Sequence, residues 1–189
     1  DVVVTFALKS AMKNLIKTLM LTTAIVSGAC LSNAYAETND KEITALAKIL
    51  SLSKDVPAGA VEIAVVYDPS NAASKADLDA IKGIIGGGFK GPKHTLTIKA
   101  VEAGSADSVS GAKTIIMTEG ISGDVQTKVL GIAKSSKALT ATTDISYVEA
   151  GNCVLGIDVS GGVKIIINGQ AYKDSGLQFD AAFEFMVKE

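Results

Sequence analysis

The chemistry open to this chain is set by one histidine, two cysteines and a scatter of carboxylates among 189 residues. Any Ser-His-Asp triad has to use His94, yet His94 follows Gly91-Pro92-Lys93 in a polar turn, which is expected to leave it on the surface. Zinc takes three or four His, Cys or carboxylate ligands, and His94 with Cys153 supplies no such spacing. No catalytic residue, metal site or cofactor is therefore expected. Gly86-Gly87-Gly88-Phe89-Lys90-Gly91 satisfies G-x-G-x-x-G, but a helical pattern precedes it where a phosphate loop needs a strand. These glycines are expected to stop that helix, since glycine takes positive φ without steric cost. An unusual acid–base site would need only a carboxylate pair, and Asp68 and Glu119 could approach each other at strand ends, though no spacing demands it.

Polar residues gather in three places: Asp68-Pro69-Ser70-Asn71, Thr118-Glu119-Gly120 and Thr142-Thr143-Asp144. Each follows an apolar run of strand-forming residues. In an open parallel sheet, ligands settle beyond the carboxyl ends of the strands, so Asp68, Ser70, Asn71, Glu119, Thr143 and Asp144 are the candidate ligand- or partner-binding residues. Two of the three turns lead into helix amino termini, whose free N–H groups would favour an anionic or hydrogen-bonding ligand. Ordinary turn and cap chemistry uses the same residue types and is the competing explanation.

The elements that must position these turns follow from periodicity. Ile43, Leu46, Ala47 and Leu50 recur at helical spacing, and Pro57-Ala58-Gly59 ends that helix. Residues 61–67 read as a strand covered on both faces. Ser74, with Asp77 three residues on, is placed to cap a helix whose inner stripe is Leu78, Ile81 and Ile85. Residues 96–100 alternate as a half-exposed strand, and 102–111 read as a polar loop. Residues 114–118 form a strand, Asp124 is placed to cap a helix carrying Val125, Val129, Ile132 and Ala133, and 138–142 form another strand. Strands 154–159 and 163–168 are joined by Ser160-Gly161-Gly162 as a hairpin, followed by a short helix and an apolar tail. The expected fold is α/β: three layers, a mostly parallel sheet flanked by helices, with a C-terminal β-hairpin.

The start of the chain reads as an export signal. Met12-Lys13-Asn14-Leu15-Ile16-Lys17 is a basic start, residues 19–31 are largely apolar, and Ala34-Tyr35-Ala36 puts small residues where a signal peptidase needs them. Residues 1–11 read as translated upstream sequence, 12–36 as the signal, and 37–189 as one domain delivered to the periplasm. A lipid anchor on Cys30 is the competing reading, but Ser27 stands where that motif wants a branched aliphatic residue. A chain starting at Glu37 keeps 15 lysines, no arginine and 19 acids, a net charge of −4. That balance gives no electrostatic reason to bind nucleic acid. Only Cys153 stays, so no internal disulfide can form; it is expected to be a small buried hydrophobe, the alternative being a disulfide to a second copy in a homodimer.

The last third carries a resemblance. Thr143-Asp144, Glu149-Ala150-Gly151, residues 163–168 ending in Asn168, then Ala171, Gly176-Leu177, Phe179 and Ala182-Phe183 resemble the C-terminal signature of the YfiR-like periplasmic proteins. The chain departs from that family where an aromatic precedes Pro57 and where a cysteine opens the third strand. The resemblance implies an α/β periplasmic fold without catalysis, and a regulator that binds the periplasmic part of an inner-membrane signalling protein such as a diguanylate cyclase. The alternative is a small solute-binding lobe associated with a transporter, suggested by Val65-Val66-Tyr67-Asp68-Pro69-Ser70-Asn71, although two lobes need about twice this length.

Overall fold

The computed structural model describes residues 38–186, with side chains to residue 183. The expected export signal, Cys30 and the Ala34-Tyr35-Ala36 motif lie outside the described residues. The first helix, α1 (Asp40–Leu52), starts from a capping box: the Asn39 side chain accepts from the Lys41 N–H, and Glu42 Oε2 accepts from the Asn39 N–H at 2.7 Å. Its stripe of Ile43, Leu46, Ala47 and Leu50 is buried, as its spacing requires.

Seven strands form one mixed sheet: β1 (Gly59–Tyr67), β2 (Phe89–Lys90), β3 (His94–Glu102), β4 (Thr114–Met117), β5 (Leu139–Thr142), β6 (Leu155–Asp158) and β7 (Lys164–Ile167). Their order across the sheet is β2-β3-β1-β4-β5-β6-β7. Pairs β3-β1-β4-β5-β6 are parallel, while β2 on β3 and β7 on β6 are antiparallel. The sheet is thus mostly parallel and ends in the expected hairpin. The two-residue β2 is too short to leave a periodicity.

Helix α2 (Ala72–Ile85) links β1 towards β3, and the chain then returns across β1 to β4 through a 3-10 segment (Ala103–Val109). The expected polar loop is this segment, because Ala106 and Val109, one 3-10 turn apart, are buried against the sheet. Helix α3 (Gly123–Ser136) leads to β5, and the short α4 (Ile145–Glu149) to β6. One apolar layer packs α1 and α2 on Ile63, Val65, Ile116 and Leu155; the other packs α3 and the 3-10 segment on Ala64, Val66, Ile115 and Met117. Alternate side chains of β1 feed opposite layers, which explains its near-continuous apolar run. Gly88, at φ +88°, ends the turn after α2, so the glycine run is a helix stop as expected.

Two expected caps are corrected. Asn71, not Ser74, caps α2, its Oδ1 accepting from the Ala73 and Ser74 N–H groups. Ser74 is drawn inward to the Thr118 hydroxyl just after β4. Ser122, not Asp124, holds the cap position of α3, without a side-chain bond. His94 is also corrected, being 3% exposed: α1 packs over it, and Leu50 O lies 3.1 Å from its Nε2.

After β7, Asn168 caps α5 (Gly169–Ser175) through a bond from the Ala171 N–H, and donates its own amide to Val148 O at 2.9 Å. The tail is then strapped to the end of α1: Lys54 N–H donates to Gln178 O, and Asp180 N–H to Leu52 O. The last helix, α6 (Ala181–Met186), brings Phe183 onto Phe179, with ring centroids 3.9 Å apart. Because Phe183 is buried and closes the end of the α1 layer, Phe183→Ala should cost about 3–5 kcal/mol in urea unfolding. An unchanged denaturation midpoint would show that this tail does not seal the core.

Candidate functional site

Chain topology singles out one edge of the sheet. The loop after β1 departs into α2 on one face, and the loop after β4 departs into α3 on the other, so the carboxyl ends of β1 and β4 flank a topological switch point. This crevice is laced by the protein's own polar groups. Asp68 N–H donates to Ser74 Oγ at 2.8 Å, Ser74 Oγ lies 2.6 Å from Thr118 Oγ1, and Thr118 Oγ1 donates to Val66 O at 3.1 Å. With Thr118 spending its proton on Val66, Ser74 must donate to Thr118. Both hydroxyls are buried and engaged, so neither is poised as a nucleophile.

A second set of bonds centres on Asp77, 2% exposed on the inner face of α2. Its Oδ1 accepts from the Thr38 N–H at 3.0 Å and from the Thr38 hydroxyl, and its Oδ2 accepts from the Glu119 N–H at 3.2 Å. Asp77 thereby joins the start of α1 to the loop after β4. Tyr147, buried on α4, adds a third tie: its hydroxyl accepts from the Ile121 N–H at 2.8 Å and donates to Thr118 O at 3.2 Å. Burial pushes this phenol up to about 12, so it keeps the proton it donates.

The six candidate residues do reach this edge, in two groups. Asp68, Ser70 and Asn71 form one turn in which Asp68 Oδ1 accepts from the Ser70 N–H and hydroxyl, and these bonds hold its carboxyl below the ordinary range. Asn71 reaches over to Gly120 O at 3.4 Å. Gly120 sits at φ +73°, and a Cβ there would lie 2.2 Å from Asn71 Nδ2, so the close crossing of the two loops requires glycine. Glu119, Thr143 and Asp144 form the second group, each half-buried. Asp144 caps α4 by accepting from the Ser146 N–H at 3.0 Å.

Two expectations change here. The amino terminus of α2 is not free for an anion, because the Asn71 side chain occupies the Ala73 and Ser74 N–H groups, whereas that of α3 has no side-chain bond at Ser122. The carboxylate facing Glu119 is also not Asp68. Burial first, then the charges of Asp144 and Asp77, push the Glu119 carboxyl up, and burial with Asp77 and Asp158 nearby does the same to Glu42. The rim is therefore acidic, and it suits a cationic amino group better than an anion. Asp77 and Tyr147 were missed. Asp77 carried a signal, since it shares the inner stripe of α2 with Ser74, Leu78 and Ile81.

The spaces in the surface lie around this edge rather than in it. Beneath α1, Thr38, Glu42, Ile116 and Thr142 enclose only about 20 Å³. A recess of about 550 Å³ opens outside Thr38, between Asn39, Lys41, Ala80, Ile84 and Val159. A separate groove of about 410 Å³, with Glu62, Lys99 and Lys113 in its lining, runs along the 3-10 segment. Among the described residues, no group of three His, Cys, Asp or Glu side chains is placed to hold a metal ion. No helix among them is long and apolar enough to cross a membrane.

Two predictions follow from the burial of these groups. A carboxyl raised by folding contributes stability that is complete below its unfolded value and is lost as pH climbs through the folded value. Glu119→Gln should therefore flatten the fall in stability above about pH 4.5 in melts across pH, while the slope of opposite sign from Asp68, Asp158 and Asp174, all held low, remains. An unaltered profile would remove Glu119 from the acidic rim. Cys153 is fully buried and its thiol is pushed up to about 12, as expected of a small core residue. In the folded protein Cys153 should resist alkylation near pH 8 and become reactive on unfolding, followed by peptide mapping apart from Cys30; rapid labelling of Cys153 in the folded chain would contradict this placement.

No protein-family model matches the chain, and no characterised protein matches it by sequence. Solved structures do match in fold. A conserved domain protein of Vibrio cholerae O1 biovar eltor aligns with TM-score 0.56 at 15% identity, over 80% of this chain and 60% of its own. A substrate-binding protein with adhesive properties from Clostridium difficile, in its ligand-free, open form, aligns with TM-score 0.55 at 15% identity, over 75% of this chain and 56% of its own. An ABC domain from Streptococcus pneumoniae in complex with L-Trp aligns with TM-score 0.54 at 13% identity, over 80% and 60%. The chain spans about 60% of the length of these proteins, and what it has in common with them is the α/β fold.

Proposed function

We propose that the protein is a non-enzymatic small-ligand-binding lobe whose ligand-facing wall is the rim formed by Ser70, Asn71, Glu119, Thr143 and Asp144. The observation that carries this reading is the switch point between β1 and β4, which gathers these residues at one edge of a fold resembling those of substrate-binding proteins. The solute-binding reading gains from this likeness, and the objection from length changes meaning. The chain aligns with about 60% of such a protein, and its rim forms one wall of a site. The Glu119 and Asp144 carboxylates select an amino group, and the Ser70 hydroxyl and Asn71 amide offer hydrogen bonds beside it.

The regulatory reading implied by the YfiR-like resemblance is the second one. Its support lies in the C-terminal module: Asn168 caps α5, Gly176 ends it, and Ala171, Leu177, Phe179 and Phe183 are buried. These residues have packing or capping roles, so the resemblance speaks to how the module folds more than to what it binds.

A thermal-shift series with amino acids, a simple diamine and small anions separates these readings. A bound ligand at a hundred times its Kd should add about 2.7 kcal/mol by mass action. Stabilisation is expected from compounds bearing a cationic amino group, and it should disappear in Glu119→Gln and Asp144→Asn, the latter retaining the α4 cap because asparagine caps as well as aspartate. If no amine stabilises the protein while it binds the purified periplasmic part of a membrane diguanylate cyclase, the regulatory reading replaces this one.

A further inference from the structure

The sheet has two edges, and only one of them is blunted. At the first, β2 has two residues and lies between Gly88 and Gly91-Pro92, which keep it from extending. At the second, β7 carries Ile165-Ile166-Ile167 with neither proline nor bulge. Val163, just before it, is the one large apolar side chain left exposed among the described residues, at 54%.

The register on β6 fixes which backbone groups face outward. Asn168 N–H donates to Val154 O at 3.0 Å, and the pairs Gly156–Ile166 and Asp158–Lys164 are in step with it. Bonded and non-bonded pairs alternate in an antiparallel ladder, so Ile165 and Ile167, and Val163 before them, turn their N–H and C=O away from β6. Among the described residues, no donor or acceptor meets those groups. The side chains of Val163 and Ile165 line a groove of about 420 Å³, whose other wall is α1, with Asp40, Thr44, Lys48 and Ile49. Asp40 and Lys48 are exposed. The start of α1 lies at the loop end of the hairpin, where Asn39 and Lys41 share a recess with Val159.

We propose that this edge is a homodimer interface, in which β7 pairs antiparallel with β7 of a second copy about a two-fold axis at Ile165. In that register Ile165 exchanges both backbone bonds with its own copy, and Ile167 does so with Val163 of the second copy, which pairs every outward group of residues 163–167. The axis keeps each face of the sheet continuous, so Val163, Ile165 and Ile167 of both copies form one apolar stripe on the α1 side. Lys164 falls opposite Ile166, whereas a shift of the axis by one residue to Lys164 sets the two lysines face to face, which is repulsive. Charge on α1 is self-complementary as well: the axis reverses one helix against the other and brings the Asp40 end of each towards the Lys48 end of its copy. A foreign strand would meet the same backbone groups without that charge match. The inference is independent of any ligand on the rim.

Sedimentation equilibrium of protein purified from cells expressing the full chain provides the test. A dimer is expected at about 100 µM, a concentration that fills a micromolar complex. Ile165→Pro spares the β6 ladder, because this N–H faces outward, and removes both bonds at the axis; the dimer Kd should rise roughly tenfold or more, with folding checked by circular dichroism. Asp40→Lys and Lys48→Asp should each weaken the dimer and together restore it, a rescue that holds whether or not the proline variant folds. Ile165→Cys should give an intermolecular disulfide at that position on mild oxidation, located by peptide mapping apart from Cys30 and Cys153. A monomer at that concentration, or a dimer indifferent to the charge exchange and to a folded Ile165→Pro, overturns the proposal.

Discussion

A carboxylate held in the interior is costly to desolvate, and the arrangement around Asp77 depends on offsetting that cost. Three donors do so, two from Thr38 and one from the backbone of Glu119, and both carboxylate oxygens accept. These donors come from chain segments about 80 residues apart, so satisfying one acid sets the start of α1 against the loop after β4. The Ser74–Thr118 bond fixes α2 against β4 in the same way. Together they fill the switch point with the protein's own polar groups, and only the outer rim, where Glu119 and Asp144 are half-buried, stays open. Burial raises the Glu119 carboxyl most, and the acids in the crevice and on the rim, Asp77 and Asp144, add to that rise by repulsion.

How the two apolar layers divide the sheet explains the rest of the molecule. Central strands β1 and β4 are apolar on both faces, while β3 exposes Thr95, Thr97 and Lys99. The C-terminal module closes the first layer: Leu177, Phe179 and Phe183 pack with α1, and backbone bonds from Lys54 and Asp180 tie the two ends of the domain. With Cys153 buried alone, there is no covalent staple among the described residues, and this closure has to come from packing.

The fold was legible wherever apolar spacing was long enough to repeat. The stripes of α1 and α2, the runs of β1 and β4 and the final hairpin follow from periodicity and turn residues. What escaped is local or tertiary. Helix α4 has five residues and two buried side chains, and the 3-10 segment shows only Ala106 and Val109 at its period. The cap of α2 was misplaced because Ser70, Asn71 and Ser74 are all capping types, and only the hydroxyl of Thr118, 44 residues away, decides which of them turns inward. His94 follows a polar turn but is covered by α1, a contact no local pattern reveals. The rim residues were legible as strand-end polar turns. The sign of their field was not, because Asp77 and Glu42 enter it from helices.

One wall with acidic groups is a weak binding site by itself. At 4 Å in bulk water, two unit charges attract by only about 1 kcal/mol, against about 4 kcal/mol where water is partly excluded. Glu119 and Asp144 face water on an open edge, and the enclosed space beneath α1, about 20 Å³, is too small for an organic ligand. Useful affinity for an amine therefore requires a second surface to close over the rim and lower the local dielectric. The charges on the rim favour a cation over an anion, and only the exclusion of water would make that preference strong.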